Sequence, residues 1–313
     1  MILLPHLAWF FLSLAGVWLC SGALVHVTEV LSRRTHRGNF FLAFVLLGIL
    51  TSFSEIAVAI NATDQGVPEI SVGNLLGASL VLFLWVTPIL AIVGNGIRLQ
   101  KGISITRLLP AAVTILAPIM LAIDGKLTQI EGGLCLLAYI TVVLLLKRQD
   151  ESGRKETTPI PRRVLITALL KVLAAAALIA LSGHVLVQET IFFSEYWSIP
   201  ASLFGLLVLS IATNIPELAI GIRAALREKK AIALGDYIGS ASANTAILGV
   251  VLLVNGTVTI NFDEWIGTAF ASVIGIALFL WFLATKKQLS RYEGIMLLGV
   301  YALFVAWEIY TRF

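Results

Sequence analysis

The chain has 313 residues, of which 58 % are hydrophobic and only 13 % are charged, and its mean hydropathy is +0.95. A soluble domain carries about 25 % charged residues, so this composition excludes an ordinary soluble protein and predicts an integral membrane protein with the lipid bilayer around it. The formal net charge of +4 does not indicate nucleic-acid binding, because the basic residues are divided among short loops.

Ten apolar stretches follow one another along the chain, each close to the ~20 residues that a membrane-spanning helix needs. We predict helices at 7–31, 39–62, 69–93, 107–123, 128–147, 163–187, 199–226, 231–254, 262–284 and 290–310. The first stretch lacks the short apolar core and the small-residue cleavage site of a signal peptide, so we predict a true membrane helix there.

One long polar stretch, with Pro159 and Pro161 near its end, separates the fifth helix from the sixth and is interpreted as a flexible connector. The sequence therefore predicts an all-α integral membrane protein in three parts. A five-helix half occupies residues 1–147, a linker occupies 148–162, and a second five-helix half occupies 163–313.

Lysine and arginine are distributed unevenly between the two ends of the predicted helices. Most of the 22 basic residues lie in the loops that follow the first, third, fifth, seventh and ninth helices. Basic loops stay in the cytoplasm, so we expect a cytoplasmic linker and two non-cytoplasmic termini. Because each half has an odd number of helices, the second half is predicted to be inverted relative to the first. A compact chain of this kind fits a prokaryotic plasma (inner) membrane.

The two halves share a sequence repeat. Residues 50–79 align with residues 212–241 when Glu55 is set on Glu217, and Thr51 then falls on Thr213 without a gap. The same register sets Asn74 on Asp236 and the glycines of GNLLG on those of GDYIG. Carboxylates at hydrocarbon depth are costly and usually functional. Two of them at matched positions in duplicated halves indicate a transporter with a site near the membrane midplane.

The residue types around these glutamates indicate which cation the site prefers. Thr51 and Glu55 are four residues apart and share one helix face, as do Thr213 and Glu217. If the repeats meet at the midplane, carboxylate, hydroxyl and carbonyl oxygens converge there, which suits a hard cation such as Ca²⁺ or Na⁺. The two carboxylates repel each other when no cation is present, so protons can compete for the site.

Helix breaks are predicted beside both glutamates. Pro216 removes a backbone donor and clashes with the carbonyl four residues earlier, so the seventh helix should kink or break there. The freed carbonyls near Ala212 and Thr213 could bind a cation. The first copy has Ser54 in place of the proline, so its break is expected to be weaker or to be made differently.

Other polar and thiol residues give weaker signals. Cys20 and Cys135 both lie inside apolar stretches and are interpreted as small packing residues, not as metal ligands or a disulfide. We find no nucleophile–base arrangement and no phosphate-binding loop, so an enzyme is the least favoured class and no cofactor is expected.

With these residues in view, the two segments resemble the alpha repeats of the cation/calcium exchanger superfamily, which includes the sodium/calcium exchangers. The family pattern places an Asn nineteen residues after the motif glutamate, and Glu55 to Asn74 and Glu217 to Asp236 both have this spacing. The resemblance covers the whole chain as a divergent member. It implies ten helices in two inverted repeats and secondary antiport of Ca²⁺ against Na⁺ or H⁺ by alternating access, with inorganic cations as the partners.

The resemblance also implies a set of cation ligands. In the first repeat the matching residues are Thr51, Ser52 and Glu55. In the second repeat they are Thr213, Glu217, Ser240 and Asn244, and Asn214 stands where the family usually has Ser but still offers an amide oxygen. Asn74 and Asp236 occupy the family's Asn position. Asp236 either adds a third acidic ligand or hydrogen-bonds a neighbouring helix.

The first repeat departs from the family pattern at two positions. Ala78 stands where the family has a ligating Ser, and Leu82 stands where it has an Asn. We therefore expect altered coupling, with fewer Na⁺ ions per cycle, H⁺ in their place, or a different substrate ion. A transport-inactive membrane scaffold or sensor with the same fold, and a channel, are the alternative hypotheses.

Overall fold

The computed structural model describes residues 3–35, 44–45, 48–98, 105–150, 162–226, 230–260 and 262–312. The helices of the first half are α1 Leu3–Thr35, α2 Gly48–Thr51, α3 Phe53–Asp64, α4 Pro68–Val81, a π-helix at Leu82–Val86, α5 Thr87–Val93, α6 Ile105–Leu121 and α7 Gln129–Asp150. Those of the second half are α8 Arg162–Trp197, α9 Ala201–Phe204, a π-helix at Gly205–Leu209, α10 Ser210–Thr213, α11 Ile215–Leu226, α12 Lys230–Asn255, α13 Phe262–Lys286 and α14 Arg291–Arg312.

Within the described ranges, 8 helices are long and apolar enough to cross a membrane, and Leu108–Asp124 is a shorter apolar helix. These nine segments overlap nine of the ten predicted stretches, although α8 continues to Trp197, beyond the predicted end at residue 187. The remaining stretch, 39–62, begins among residues that lie outside the described ones and continues as α2 and α3. The helical, multi-pass membrane architecture is thus confirmed, whereas the inverted ten-helix arrangement stays a prediction.

Two short antiparallel ladders join the halves. In the first, β1 (Ile97–Arg98) pairs with β4 (Gln288–Leu289), and in the second, β2 (Lys126–Leu127) pairs with β3 (Val258–Thr259). β1 precedes α6 and β2 follows it, so the ladders lie at opposite ends of that helix. Each ladder takes one strand from each half, which fixes the halves to each other at both ends.

The centre of the molecule is formed by α4 and α12, whose residues are mostly buried. Few residues are buried in Leu3–Cys20 of α1, in α7 or in α14, which are apolar as lipid-facing helices are. Glycine allows close packing at this centre. A Cβ at Gly77 would overlap the main chain of Leu206, and a Cβ at Gly239 would overlap the main chain of Phe44. Gly77 is equivalent to Gly239 and Phe44 is equivalent to Leu206, each with an offset of 162 residues. The two contacts are therefore equivalent across the repeat. The small residues of GNLLG and GDYIG therefore allow neighbouring segments to approach closely.

The halves differ where α4 ends. A π-helix covers Leu82–Val86, and the hydroxyl of Thr87 donates to the main-chain oxygen of Leu82 at 2.7 Å. Pro88 follows, and a proline in a helix interior cannot donate to the preceding turn, so the widened turn relieves the conflict. The corresponding residues of the second half, within α12, are regular α-helix.

Candidate cation site

Two helix breaks shape the site, and they lie at equivalent residues. Ser52 separates α2 from α3 with φ −76° and ψ 11°. Asn214 separates α10 from α11 with φ −93° and ψ 4°. The Ser52 hydroxyl donates to the main-chain oxygen of Gly48 at 2.7 Å, and the Asn214 amide donates to that of Ser210 at 2.7 Å. In an uninterrupted helix these main-chain oxygens would accept a hydrogen bond from a backbone N–H. In each half they instead accept one from a side chain.

The first break forms without proline. Pro216 lies in the first turn of α11, where its missing N–H is tolerated. Ser54, at the equivalent position of α3, keeps its backbone N–H, and its hydroxyl oxygen lies 3.3 Å from the main-chain oxygen of Thr51. Of the two outcomes left open by the sequence, the structure thus shows that the first break is made differently.

Glu55 and Glu217 begin the helices that follow these breaks. Each lies in the first turn of its helix, where the positive end of the helix dipole favours a carboxylate. Glu55 is 1 % exposed and Glu217 is 0 % exposed. Ser54 donates to Glu55 Oε2 at 2.8 Å. Neither carboxylate oxygen of Glu217 has a hydrogen-bond partner among the described residues.

One threonine beside each break forms a hydrogen bond with the other half. The Thr51 hydroxyl donates to Asp236 Oδ1 at 3.2 Å, and the Thr213 hydroxyl donates to Asn74 Oδ1 at 3.3 Å. A shift of 162 residues converts one pair into the other. The polar centre is therefore built from equivalent contacts that cross between the repeats.

The second half carries a longer row of polar side chains. Asp236, Ser240 and Asn244 are spaced four residues apart on α12 and share one face. The Ser240 hydroxyl lies 2.7 Å from that of Thr51, and Asp236 is close enough to Glu217 for their charges to interact. Asn244 is 2 % exposed, and its amide group has no hydrogen-bond partner in the described part of the chain.

The equivalent row on α4 is mostly apolar. Asn74 is followed one turn later by Ala78 and two turns later by Leu82, and all three are fully buried. Neither Ala78 nor Leu82 can coordinate a cation, so the site is asymmetric. Every residue proposed from the sequence as a ligand is at most 2 % exposed.

Two residues at the site were not among those proposed from the sequence as ligands. Ser54 bonds the Glu55 carboxylate directly. The Tyr237 hydroxyl donates to the main-chain oxygen of Glu217 at 3.2 Å and thereby ties α11 to α12. The signal for Tyr237 is its phenol in an apolar helix, since a buried phenol usually has a hydrogen-bond partner.

The acidic groups alone do not form a metal cage. Across the described ranges, no group of three or more His, Cys, Asp or Glu side chains is arranged to hold a metal ion. A cation bound here therefore needs the hydroxyl, amide and main-chain oxygens as well. Cys20 and Cys135 are both free thiols away from this arrangement.

A cavity of about 630 Å³ lies beside the first break, between α3, α7 and α12. Its lining includes Ser52, Thr63 and Asp64, and most of its other lining residues are apolar. Asp64 is exposed. The cavity thus connects the break at Ser52 with an exposed carboxylate at the end of α3.

Comparison with known proteins identifies the family. The family model described as sodium/calcium exchanger protein matches residues 5–147 and again residues 167–310. The chain belongs to the sodium/calcium exchanger family.

Some relatives and solved structures match most of the chain, and other relatives match one part of it. CaxA of Alkalimonas amylolytica, an antiporter by name, is 26 % identical over 88 % of this chain and 89 % of its own length. The sodium/calcium exchanger MaX1 of Methanosarcina acetivorans is 31 % identical over 43 % of this chain and 38 % of its own. The structure of the sodium-calcium exchanger NCX_Mj matches with a TM-score of 0.73 at 21 % identity, covering 96 % of this chain and 97 % of that one, which shows a shared fold.

Membership of this exchanger family establishes the general activity. The protein is a multi-pass membrane antiporter of cations, a transporter and not an enzyme. The cations that it handles are cargo and not cofactors.

Proposed function

We propose that this antiporter exchanges Ca²⁺ for Na⁺ or H⁺ by alternating access at a site near the membrane midplane. One observation carries the proposal. Glu55 and Glu217 are fully buried, each begins a helix after an equivalent break, and both oxygens of Glu217 lack a hydrogen-bond partner within the described residues. Buried carboxylates without partners are expensive unless a cation neutralises them.

The donor set favours Ca²⁺ as the central cargo. Ca²⁺ takes about six to eight oxygen ligands, including bidentate carboxylates, amide oxygens and main-chain carbonyls. Glu55 and Glu217 would supply the charge, and Thr51 and Thr213 the hydroxyls. Ser52 and Asn214 would add neutral oxygens at the breaks. The MaX1 relative, which is named a sodium/calcium exchanger, supports the same cargo.

The proposed transport cycle uses two inverted halves, residues 1–147 and 163–313, joined by a cytoplasmic linker at 148–162. Both termini would lie outside the cytoplasm of a prokaryotic inner membrane. Ala78 and Leu82 remove oxygens from the first half, so we propose fewer Na⁺ ions per cycle than a symmetric site would bind, or H⁺ in their place.

Uptake of ⁴⁵Ca²⁺ into proteoliposomes tests this function. One set carries an outward Na⁺ gradient, a second an outward H⁺ gradient, and each is run with wild type, Glu217→Gln and Glu189→Gln. Glu189 is a matched control, because it is a buried glutamate that pairs with His6 at 2.8 Å, away from the site. We expect gradient-driven uptake that is lost in Glu217→Gln and kept in Glu189→Gln. No uptake under either gradient by folded wild type would reject Ca²⁺ as the cargo.

Exchange of another cation is the second candidate, and the complete burial of Ala78 and Leu82 favours it. Competition by Mn²⁺, Mg²⁺ and Li⁺ in the same vesicles distinguishes the cargoes. If none of these cations is carried under either gradient, the exchanged cation lies outside this set.

A further inference from the structure

Two cavities at one end of the protein share a wall residue, Trp265. A polar cavity of about 570 Å³ lies between the start of α4, the start of α9 and strand β3. A smaller cavity of about 260 Å³ lies between α4, α6 and α13. Trp265 lines both cavities and is 7 % exposed, so it stands at the boundary between them. Tryptophan favours the level in a membrane where lipid head groups meet hydrocarbon.

The larger cavity carries groups that suit a zwitterionic head group. Its lining includes the half-buried acid Glu69 and the hydroxyl residues Ser202, Thr257 and Thr259. Glu69 has no ion pair with any described residue. Lys126 is the direct partner of Thr259 in the β2–β3 ladder, and both residues are exposed, so they share one face of the ladder. A carboxylate in the cavity and an ammonium group at its edge thus offer opposite charges to one ligand.

The smaller cavity is lined by hydrophobic residues, with one exception. Three of them, Ile123, Phe270 and Val273, are between 40 % and 63 % exposed, so this cavity opens toward the surrounding lipid. The exception is Thr268, which is 0 % exposed and whose hydroxyl has no hydrogen-bond partner in the described part of the chain. A buried hydroxyl without a partner is costly, so a ligand that brings an acceptor into this cavity stabilises the protein.

The order of these groups along α13 matches the order of groups in a phospholipid. At 1.5 Å per residue, Thr268 lies about 5 Å further along the helix than Trp265, and Val273 lies about 12 Å further. The hydrocarbon of one leaflet is about 15 Å deep, which is half of the bilayer core. The charged groups are therefore at head-group level, the Thr268 hydroxyl is at the level of the ester carbonyls, and the apolar wall is beside the acyl chains.

We propose that the two cavities together bind one phospholipid whose head group carries a primary ammonium. The ammonium pairs with Glu69 and the phosphate lies toward Lys126. An ester carbonyl accepts a hydrogen bond from Thr268, and an acyl chain fills the apolar cavity. The lipid contacts α4 and α6 of the first half and β3 and α13 of the second, so it stabilises the junction between the halves. None of these residues belongs to the cation site, so this inference is independent of the cation exchanged.

Lipid titration of the delipidated full-length protein in detergent, read by native mass spectrometry, tests the proposal. The probes are dioleoylphosphatidylethanolamine, dioleoylphosphatidylcholine and dioleoylphosphatidylglycerol, which have the same chains. We expect the ethanolamine lipid to have a dissociation constant about tenfold lower than the other two, because only its ammonium brings both a positive charge and N–H donors to Glu69. Glycerophosphoethanolamine, which has the head group without the chains, should show no measurable binding at the same concentrations.

Two pairs of variants identify the residues responsible. Glu69→Gln should raise the dissociation constant of the ethanolamine lipid about tenfold, to that of the choline lipid. Asp64→Asn is its control, because Asp64 is an exposed acid at the end of α3 that lines neither cavity, and it should bind as wild type does. Thr268→Val should raise the constant about fivefold, the loss of one neutral hydrogen bond. Thr190→Val is its control, since Thr190 of α8 is also 0 % exposed with an unpartnered hydroxyl among the described residues.

Thermal melts without lipid keep the comparison valid. Thr268→Val and Thr190→Val each lose a buried hydroxyl that has no partner, so both should melt at or above the temperature of wild type. Ala269→Leu places a larger side chain in the apolar cavity. It should remain folded, bind the ethanolamine lipid no more tightly than the choline lipid, and gain no melting temperature when lipid is added.

The outcomes decide each part of the proposal. Equal dissociation constants for the three lipids in wild type would reject the site. Tightest binding of the glycerol lipid, unchanged in Glu69→Gln, would overturn the role of the carboxylate. Binding of glycerophosphoethanolamine as tight as that of the lipid would reject the role of the apolar cavity. Because no cation enters these measurements, they hold whether or not the protein exchanges Ca²⁺.

Discussion

Ser52 and Asn214 make the same hydrogen bond in opposite halves of the protein. Each lies at a helix break and donates from its side chain to the main-chain oxygen four residues earlier, at 2.7 Å in both cases. A hydroxyl in one half and an amide in the other thus satisfy the equivalent main-chain oxygen at the break. The breaks matter because they place Glu55 and Glu217 at the start of new helices in the buried centre.

The helix break at Ser52 should become less stable when the side-chain hydroxyl is removed. Ser52→Ala leaves the Gly48 carbonyl without this bond, which typically costs about 1 kcal/mol of stability. We expect a lower melting temperature in detergent and slower Ca²⁺ uptake. Ser52→Asn, which copies the second half, should recover both. Equal melting temperatures for Ser52→Ala and wild type would show that the bond contributes nothing.

Close packing at Gly239 predicts a strong effect of a single methyl group. In Gly239→Ala the new Cβ meets the main chain of Phe44, which cannot move as a flexible side chain can. Overpacking of this kind costs about 1–3 kcal/mol. Gly133→Ala is the matched control, since a Cβ there meets nothing within 4 Å. Thermal unfolding should separate the two variants, and similar melting temperatures for both would contradict the packing account.

The Tyr237 hydroxyl should contribute more to stability and transport than a buried tyrosine hydroxyl that has no hydrogen-bond partner. Tyr237→Phe removes the donor to the main chain of Glu217 and should cost about 1 kcal/mol together with some transport activity. Tyr301 is also buried, but within the described residues its hydroxyl has no partner. Tyr301→Phe should therefore be neutral or slightly stabilising. Parallel melts and ⁴⁵Ca²⁺ uptake measure both variants, and a neutral Tyr237→Phe would remove this residue from the site.

The predicted orientation can be measured with single cysteines. In a background with Cys20 and Cys135 replaced by Ala, Lys126→Cys should react with a membrane-impermeant maleimide from outside intact cells. Arg98→Cys should react only after the cells are opened, because its loop is predicted to be cytoplasmic. Both positions are exposed, so access to the reagent depends on the membrane side. The reverse pattern would invert the topology.

Hydropathy and the internal repeat predicted most of the architecture. Nine of the ten predicted stretches overlap described apolar helices, because the length of a spanning helix is fixed by the bilayer. The repeat alignment also paired Ser52 with Asn214 and Asn74 with Asp236, and these pairs make equivalent contacts. The assignment of ligands to a bound cation remains a prediction.

The details that the sequence could not supply depend on packing between segments far apart in the chain. Pro216 predicted where one helix breaks, and the repeat predicted a weaker or different break in the first half. Nothing in the local sequence indicated that Ser52 and Gly48 would make that break. The spacing of Thr51 and Glu55 predicted a shared helix face, but α2 ends at Thr51, and its hydroxyl bonds Asp236 across the repeat. Such a contact follows from the arrangement of helices and not from spacing along one helix.

The two β ladders have a consequence for a severed chain. Together with the crossed threonine bonds and the glycine contacts, they hold the halves to each other without using residues 151–161. A polypeptide cut in that region keeps every one of these bonds. Residues 1–150 and 162–313, made as separate polypeptides in the same cell, should therefore find each other in the membrane and copurify as a functional split transporter.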